Sequence, residues 1–183
     1  MTDLIVFFAA AALSGVLVKA VDEIEDALEP RLGKQCPLCR LKFPLAAAYG
    51  LLIGYVISFS AFSTLWLAVL FAQFIIGKID KPSHFLGFAA ALVFAVIFGA
   101  GGFQFGDFLI FVLAAIIDES SIISDRLAAL RPALKIVTLF YGLFYRWDYF
   151  IAIMCFDLAY LASGFAIYKL SPQKEKAARK QEL

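Results

Sequence analysis

The chain has 183 residues and a formal net charge of +1, so no overall charge favours binding to nucleic acid. Hydrophobic residues make up 63% of the chain, charged residues make up 17%, and the mean hydropathy is +0.88. Soluble domains contain roughly 45–50% apolar and about 25% charged residues. The composition therefore excludes an ordinary soluble domain and indicates an all-α polytopic integral membrane protein surrounded by membrane lipids.

The first half of the chain contains three predicted spans. Residues 4–21 are apolar, with no basic flank before them and no small-residue cleavage pattern after them, so we expect a retained first span rather than a signal peptide. Residues 43–77 carry no charge. This run is too long for one helix of about 20 residues and suits two. Ser58, Ser60 and Ser63 predict the turn between them.

Four further apolar runs complete the prediction. They are residues 82–106, 108–117, 132–145 and 149–168. Residues 1–170 are therefore predicted to form a bundle of about seven transmembrane helices. Residues 171–183, which are polar and rich in Lys, are predicted to form a basic cytoplasmic tail.

The distribution of basic residues predicts the orientation of this bundle. Threading the chain through seven spans places fifteen of the sixteen Lys and Arg residues on one side and only Arg146 on the other. Basic residues accumulate in cytoplasmic loops. We therefore predict a multi-pass cell-membrane protein with an external N-terminus and a cytoplasmic C-terminus. A homo-oligomer would be compatible with this arrangement.

Four acidic residues recur at helical spacing where the first apolar run ends. They are Asp22, Glu25, Asp26 and Glu29, at positions i, i+3, i+4 and i+7. If the helix continues past Val21, all four share one face. Like charges at this spacing repel, which predicts neutralisation by a cation or a basic partner. Mg²⁺ would suit the carboxylates Asp22, Glu25 and Asp26; the alternative is a solvated helix end paired with Arg31 and Lys34.

A second acidic cluster follows the fifth run. Asp118 and Asp125 are candidate metal ligands, and Arg126 is a candidate phosphate ligand. The alternative is a capped cytoplasmic loop, because Ser120, Ser121 and Ser124 can satisfy backbone donors at a helix start.

The short connection between the third and fourth runs adds a third polar element. Lys78 and Lys81 could hold phosphate oxygens, Asp80 could join a metal, and His84 could act as a base or ligand. The alternative is a helix cap with ordinary turn charges, since Gly77 and Pro82 break the helices here.

Three other features bear on function. Cys36 and Cys39 form a CxxC, which can supply half a zinc site, but no second such pair exists and we do not expect zinc. Asp157 lies within the last run, where a charge is costly, and is expected to be protonated, paired with Lys135 or Arg131, or facing a polar path. The glycines at positions 50, 54 and 99–102 are expected to permit close helix approach.

Two functional hypotheses from different classes follow. The first is a membrane-embedded, Mg²⁺-dependent enzyme acting on a lipid phosphate or isoprenoid diphosphate at the cytoplasmic leaflet, with Asp22, Asp26, Asp118 and His84 as catalytic residues. The second is a small cation or proton transporter using Asp157 and the acidic rim. A structural or accessory subunit is a further alternative.

The acidic runs that motivate the enzyme hypothesis resemble the paired Asp-rich motifs of intramembrane prenyltransferases. Residues 21–26 look like the first motif and residues 118–125 like the second, which is a dozen or so residues in all. The usual Asn-Asp start and the regular four-residue Asp spacing of those motifs are missing here. The resemblance implies Mg²⁺ and a diphosphate substrate.

Overall fold

A computed structural model describes residues 2–32, 37–120 and 131–170, and the fold is given for these residues. In this part of the chain the backbone is helical apart from short turns, and it contains no strand. The predicted all-α class is confirmed there.

Seven principal helices follow one another along the described chain. They are α1 (Thr2–Glu23), α2 (Lys42–Phe59), α3 (Ser63–Ile75), α4 (Pro82–Phe98), α5 (Phe105–Glu119), α6 (Pro132–Phe144) and α7 (Asp148–Leu170). Helix α1 continues through a π-helical turn (Ile24–Leu28) and a short α-helical turn (Glu29–Leu32), and a 3₁₀ turn (Pro37–Leu41) leads into α2.

The predicted apolar runs coincide with these helices, and the serine-rich turn lies between α2 and α3 as expected. The fourth apolar run extends past its helix, because α4 stops at Phe98, directly before the glycine-rich stretch 99–102 in which the span was expected to end. Gly99 and Gly102 adopt φ angles of 84° and 65°. These left-handed conformations break the helix and are accessible to glycine at little cost.

Among the residues that the structure describes, three helical segments are long and apolar enough to cross a membrane. They are Asp3–Leu28, Cys39–Phe59 and Asp148–Ile167, with 26, 21 and 20 residues. Helices α3 to α6 have only 13 to 17 residues, or roughly 20–26 Å, which is less than the ~30 Å of a hydrocarbon core. Seven crossings and their orientation therefore stay predictions.

The outer surface of the bundle is strongly apolar. Val96, Ile97 and Phe144 are 83%, 67% and 74% exposed, whereas polar side chains such as Ser14 and Thr138 are fully buried. A soluble monomer rarely exposes contiguous apolar surface of this kind. The pattern is compatible with a surface that faces lipid.

The helices form a ring in which α1 packs on α2 and α7, while α3, α5 and α6 close the remaining side. Helix α4 lies outside this ring and packs on α2. The buried core includes Phe62, Trp66, Phe111 and Tyr149. The turns at residues 60–62, 99–104 and 145–147 lie at one end of the bundle.

Close packing of α2 on α4 depends on glycine, as predicted. A Cβ atom at Gly50 would lie 2.2 Å from the carbonyl oxygen of Gly87, and a Cβ atom at Gly87 would lie 2.3 Å from the Tyr49 ring. Helix α1 approaches α7 in the same way, since a Cβ atom at Gly15 would lie 2.4 Å from the Phe156 carbonyl oxygen. Small residues at such contacts let backbones approach closely.

The end of the bundle opposite the turns at residues 60–62, 99–104 and 145–147 carries the π-helical turn after α1, the α3–α4 turn and the beginning of α6. We call it the charged end, defined by Asp22, Glu25, Lys81, Glu119 and Arg131, whose side chains are joined by salt bridges or share one cavity there. It corresponds to the side that the basic residues predict to be cytoplasmic.

The α2–α4 contact can be tested by substitution of Gly87. We expect Gly87→Ala to destabilise the protein by about 1–3 kcal/mol, because the added methyl group overpacks against the buried Tyr49 ring. Thermal unfolding in detergent would measure the change. Gly106→Ala is the matched control, since a Cβ atom there meets no atom within 4 Å, and equal midpoints for the two variants would contradict the packing.

Candidate functional site

A cavity of about 670 Å³ opens at the charged end of the bundle. Its interior is apolar and is lined by Ile53, Trp66, Val69, Leu70, Phe88 and Phe156. From Trp66 to Gln73 the wall follows α3 for eight residues, or roughly 10 Å along the helix axis. The cavity therefore reaches well into the bundle.

The mouth of the cavity is charged. The acidic residues that line it are Asp22, Asp26, Asp80, Glu119 and Asp157, and the basic ones are Lys78, Lys81, His84 and Arg131. Asp22 and Asp26 of the first acidic cluster are thus brought together with Lys78, Asp80, Lys81 and His84, whereas Glu25 does not line this cavity. With His84 neutral, and with Lys135 counted because it pairs with Asp157, five carboxylates face four cations, so the mouth has a small negative balance that a bound cation would offset.

Two tyrosines hold His84 and Asp22 in one hydrogen-bond chain. Tyr49 Oη lies 3.1 Å from His84 Nδ1. The other ring nitrogen, His84 Nε2, lies 3.1 Å from Asp22 Oδ1, and the Tyr160 hydroxyl donates to Asp22 Oδ2 at 2.6 Å. With Nε2 protonated and Nδ1 accepting from Tyr49, all four side chains are satisfied. The chain fixes the orientation of the imidazole at the cavity wall.

The geometry at the end of α1 differs from the regular α-helix that the acidic spacing predicted. A π-helical turn at Ile24–Leu28 interrupts it, and such turns often occur at functional sites. Asp22 and Asp26 line the cavity. Glu25 is only 6% exposed, and Glu25 and Glu29 meet Lys42 at 3.2 and 2.6 Å.

Basic partners neutralise this acidic segment, as one of the two sequence-based alternatives requires. Those that the structure describes come from α2 and from the α3–α4 turn. The side chains of Arg31 and Lys34 lie outside the described part. Lys81 Nζ lies 2.6 Å from Asp26 Oδ1 and 3.6 Å from Glu25 Oε2. The hydrogen bond to Asp26 raises the pKa of Lys81 and keeps the amine cationic at neutral pH.

A chain of alternating charges forms the opposite wall of the mouth. Asp157 is 5% exposed and lies 3.1 Å from Arg131 and 2.9 Å from Lys135, so it is paired, which is one of the alternatives that the sequence left open. Arg131 also reaches Glu119 at 3.7 Å, and Glu119 meets Lys78 at 3.3 Å. The network joins α5, α6 and α7 to the α3–α4 turn, and pairing offsets the cost of burying Asp157.

Asp118 lies outside this cavity lining. It is 1% exposed, and its two carboxylate oxygens accept the backbone N–H groups of Ala133 and Leu134, each at 2.8 Å. These donors belong to the first turn of α6, where N–H groups lack helical partners. The preceding residue, Arg131, has a left-handed φ of 46° and makes no side-chain cap. A remote carboxylate therefore caps α6, and this contact accounts for the burial of Asp118.

Several predicted site residues fall outside the described part of the chain. They are Asp125, Arg126 and Cys36. Cys39 is buried on the 3₁₀ turn before α2. Within the described residues no three His, Cys, Asp or Glu side chains form a group that could hold a metal ion.

Four further residues line the cavity that the sequence did not predict as site residues: Tyr49, Tyr160, Glu119 and Gln73. Tyr49 and Tyr160 lie within apolar runs. A Tyr in such a run needs a hydrogen-bond partner for its hydroxyl when it is buried. Gln73 was equally visible as an amide within an uncharged run, and its Nε2 donates to Glu119 at 2.7 Å. Polar atoms inside apolar runs were the available signal.

Comparison of the chain with family models, with curated proteins and with solved structures finds no match.

The capping role of Asp118 can be tested by two substitutions. Asp118→Ala should lower stability by about 1–2 kcal/mol through loss of the α6 cap, and Asp118→Asn should cost less because its amide oxygen can still accept one N–H. Thermal unfolding of both variants in the same detergent would measure this order. If both variants melt like the parent protein, the carboxylate does not stabilise α6.

Proposed function

We propose that this chain is a membrane enzyme that acts on a lipid phosphate or an isoprenoid diphosphate from the cytoplasmic leaflet. The observation that carries the proposal is the cavity, which combines an apolar interior with a charged mouth. A phosphorylated lipid has the same division, because its chain is apolar and its head group is anionic. A binding site of a few hundred Å³ is the usual size for ligands of this class.

The charges at the mouth support recognition of phosphate through a divalent cation. An anionic head group alone would meet five carboxylates. Mg²⁺ is commonly held by one or two carboxylates together with substrate phosphates rather than by a complete protein cage. A preformed group of three ligands is therefore not required, and Asp22 and Asp26 on the cavity wall could supply the protein ligands.

Basic side chains at the same mouth would complete the head-group site. Lys81 is cationic and lies beside Asp26, and Lys78 is 54% exposed in its side chain and lies across the turn. Both amines could bind phosphate oxygens as charge develops during transfer. His84 is oriented by Tyr49 and Asp22, so a proton could move along this chain. Asp118 caps α6 and lies outside the cavity lining, so it would not contact the substrate.

The experiment is a turnover assay with purified protein in liposomes that contain a lipid phosphate or a prenyl diphosphate. We expect release of phosphate or diphosphate that requires Mg²⁺ and stops on chelation. Asp22→Asn and Asp26→Asn should each lower kcat/KM by about 100-fold or more, since each removes a charge that would hold the cation.

The matched control for these variants is Asp3→Asn, at the start of α1 and at the other end of the bundle, where the carboxylate is exposed. This variant should retain full activity. Activity that persists with chelator, or that responds equally to all three substitutions, would refute the proposed role of the cavity.

A second candidate function is transport of a cation or proton, and the observation that favours it is the position of Asp157. This carboxylate lines the cavity, is 5% exposed, and lies between Arg131 and Lys135. Ionisable groups inside membrane helices often belong to ion or proton pathways.

Transport can be tested with Asp157→Asn in proteoliposomes loaded with a pH-sensitive dye. If Asp157 carries protons, the variant should lose dye-reported flux while the Asp3→Asn control keeps it. Flux that is equal in both variants would exclude a transport role for Asp157.

A further inference from the structure

The lines of contact between neighbouring helices around the cavity, which we call seams, are of two kinds. Most are closed by polar contacts. Lys42 joins Glu29 across α1 and α2, Tyr160 joins Asp22 across α7 and α1, and Gln73 joins Glu119 across α3 and α5. In lipid, opening a seam of this kind is costly, because it would leave polar groups without hydrogen-bond partners in a medium that offers none.

The seam between α3 and α4 is different. The two helices barely touch, because α4 packs on α2 whereas α3 packs on α5. Phe74 on α3 and Phe88 on α4 bridge the gap with stacked rings, whose centroids are 5.4 Å apart and whose planes differ by 5°. Phe88 also lines the cavity, and Phe74 is 54% exposed on the outer surface. One ring pair therefore separates the cavity from the surroundings of the bundle.

An apolar seam costs little to open in a bilayer. Lipid chains are as apolar as the side chains that they would replace, so parting two Phe rings exposes no unsatisfied polar group. The α3–α4 turn crosses the mouth above this seam and is tied on both sides, through Lys78 to Glu119 and through Lys81 to Asp26. An amphiphile entering here would bring its head group to the basic residues of that turn.

We propose that the gap between α3 and α4 is a lateral portal through which the apolar chain of a phosphorylated membrane lipid enters the cavity, with Phe74 and Phe88 as its gate. This inference rests on the proposed function and adds the route of the substrate. It also restricts the substrate class: the ligand is a membrane-resident lipid whose chain lies in the bilayer, rather than a water-soluble phosphate that arrives at the mouth.

The cavity contains its own reporter for this test. The chain has two tryptophans, Trp66 and Trp147. Trp66 is 2% exposed and lines the cavity, whereas Trp147 is 47% exposed at the other end of the bundle. In a Trp147→Phe protein, bromine atoms on a lipid chain will quench the remaining fluorescence when the chain reaches Trp66. The probes are chain-brominated phosphatidic acid and, for comparison, chain-brominated phosphatidylcholine, in vesicles with Mg²⁺.

A reversible cross-link between α3 and α4 closes the gate experimentally in the Trp147→Phe protein. Phe74→Cys and Phe88→Cys are introduced after the natural cysteines have been replaced by alanine, and a bifunctional methanethiosulfonate joins them until reductant is added. The control pair is Phe59→Cys with Phe94→Cys, which bridges α2 and α4 with ring centroids 6.2 Å apart and away from the seam. We expect quenching by brominated phosphatidic acid to exceed that by phosphatidylcholine, to be lost on linking 74 to 88, and to return with reductant. Linking 59 to 94 should change nothing.

The outcomes separate the portal from the proposed function. Headgroup-selective quenching that survives the 74–88 link overturns the portal and leaves the phosphorylated-lipid site standing. Equal quenching by both lipids that is lost on linking supports the portal and counts against a site selective for an anionic phosphomonoester head group. Absence of quenching by either lipid overturns both. If the cysteine variants fail to fold, Phe74→Ala in the Trp147→Phe protein provides a second test and should accelerate the onset of quenching. The control is Phe71→Ala, at a residue that is 47% exposed and lies three positions away on α3, and it should not accelerate the onset. Equal onset in the two variants would overturn the gate.

Discussion

The constraint that organises this molecule is that charges removed from water must be paired. Asp157 and Glu25 are buried within helices whose outer surfaces are apolar, and each meets two cationic groups from other segments. Burial of a lone carboxylate would be costly, whereas a paired one can be retained with a modest penalty. The pairs fix which helices meet at the charged end, and they leave a space between the two networks. The cavity is that space.

The same constraint explains why one seam of the bundle differs from the others. Helix α4 joins the ring through glycine contacts with α2 and through the turn that carries Lys78 and Lys81. It contributes one polar link at the cavity, where His84 meets Asp22 and Tyr49. Towards α3 it offers Phe88 and no polar contact among those described. Polar pairing thus stabilises the mouth, and the apolar flank stays free to separate in a lipid environment.

Much of the fold was accessible from the sequence, because helices that bury little polar surface appear as long apolar runs. The turn between α2 and α3 was predicted in this way, and the paired state of Asp157 was one of the alternatives that its position in an apolar run left open. The apolar run itself extends eight residues past the end of α4, because hydropathy does not register the left-handed glycine at position 99 that ends the helix. The acidic spacing also did not predict the π-helical turn after α1, in which Glu25 contacts Lys42 and Ser83 from distant segments.

By itself the sequence determined the helical class, the positions of the helices and the concentration of charge at one end of them. Local periodicity and hydropathy are sufficient for these properties, because each depends on neighbours in the chain. Only the tertiary structure decided what each charge does. It engages Asp118 as a helix cap, joins Glu119 and Arg131 to Asp157, and brings Tyr160 to Asp22 from 138 residues away. Such partners are chosen by the packing of whole helices, and no spacing along the chain encodes them.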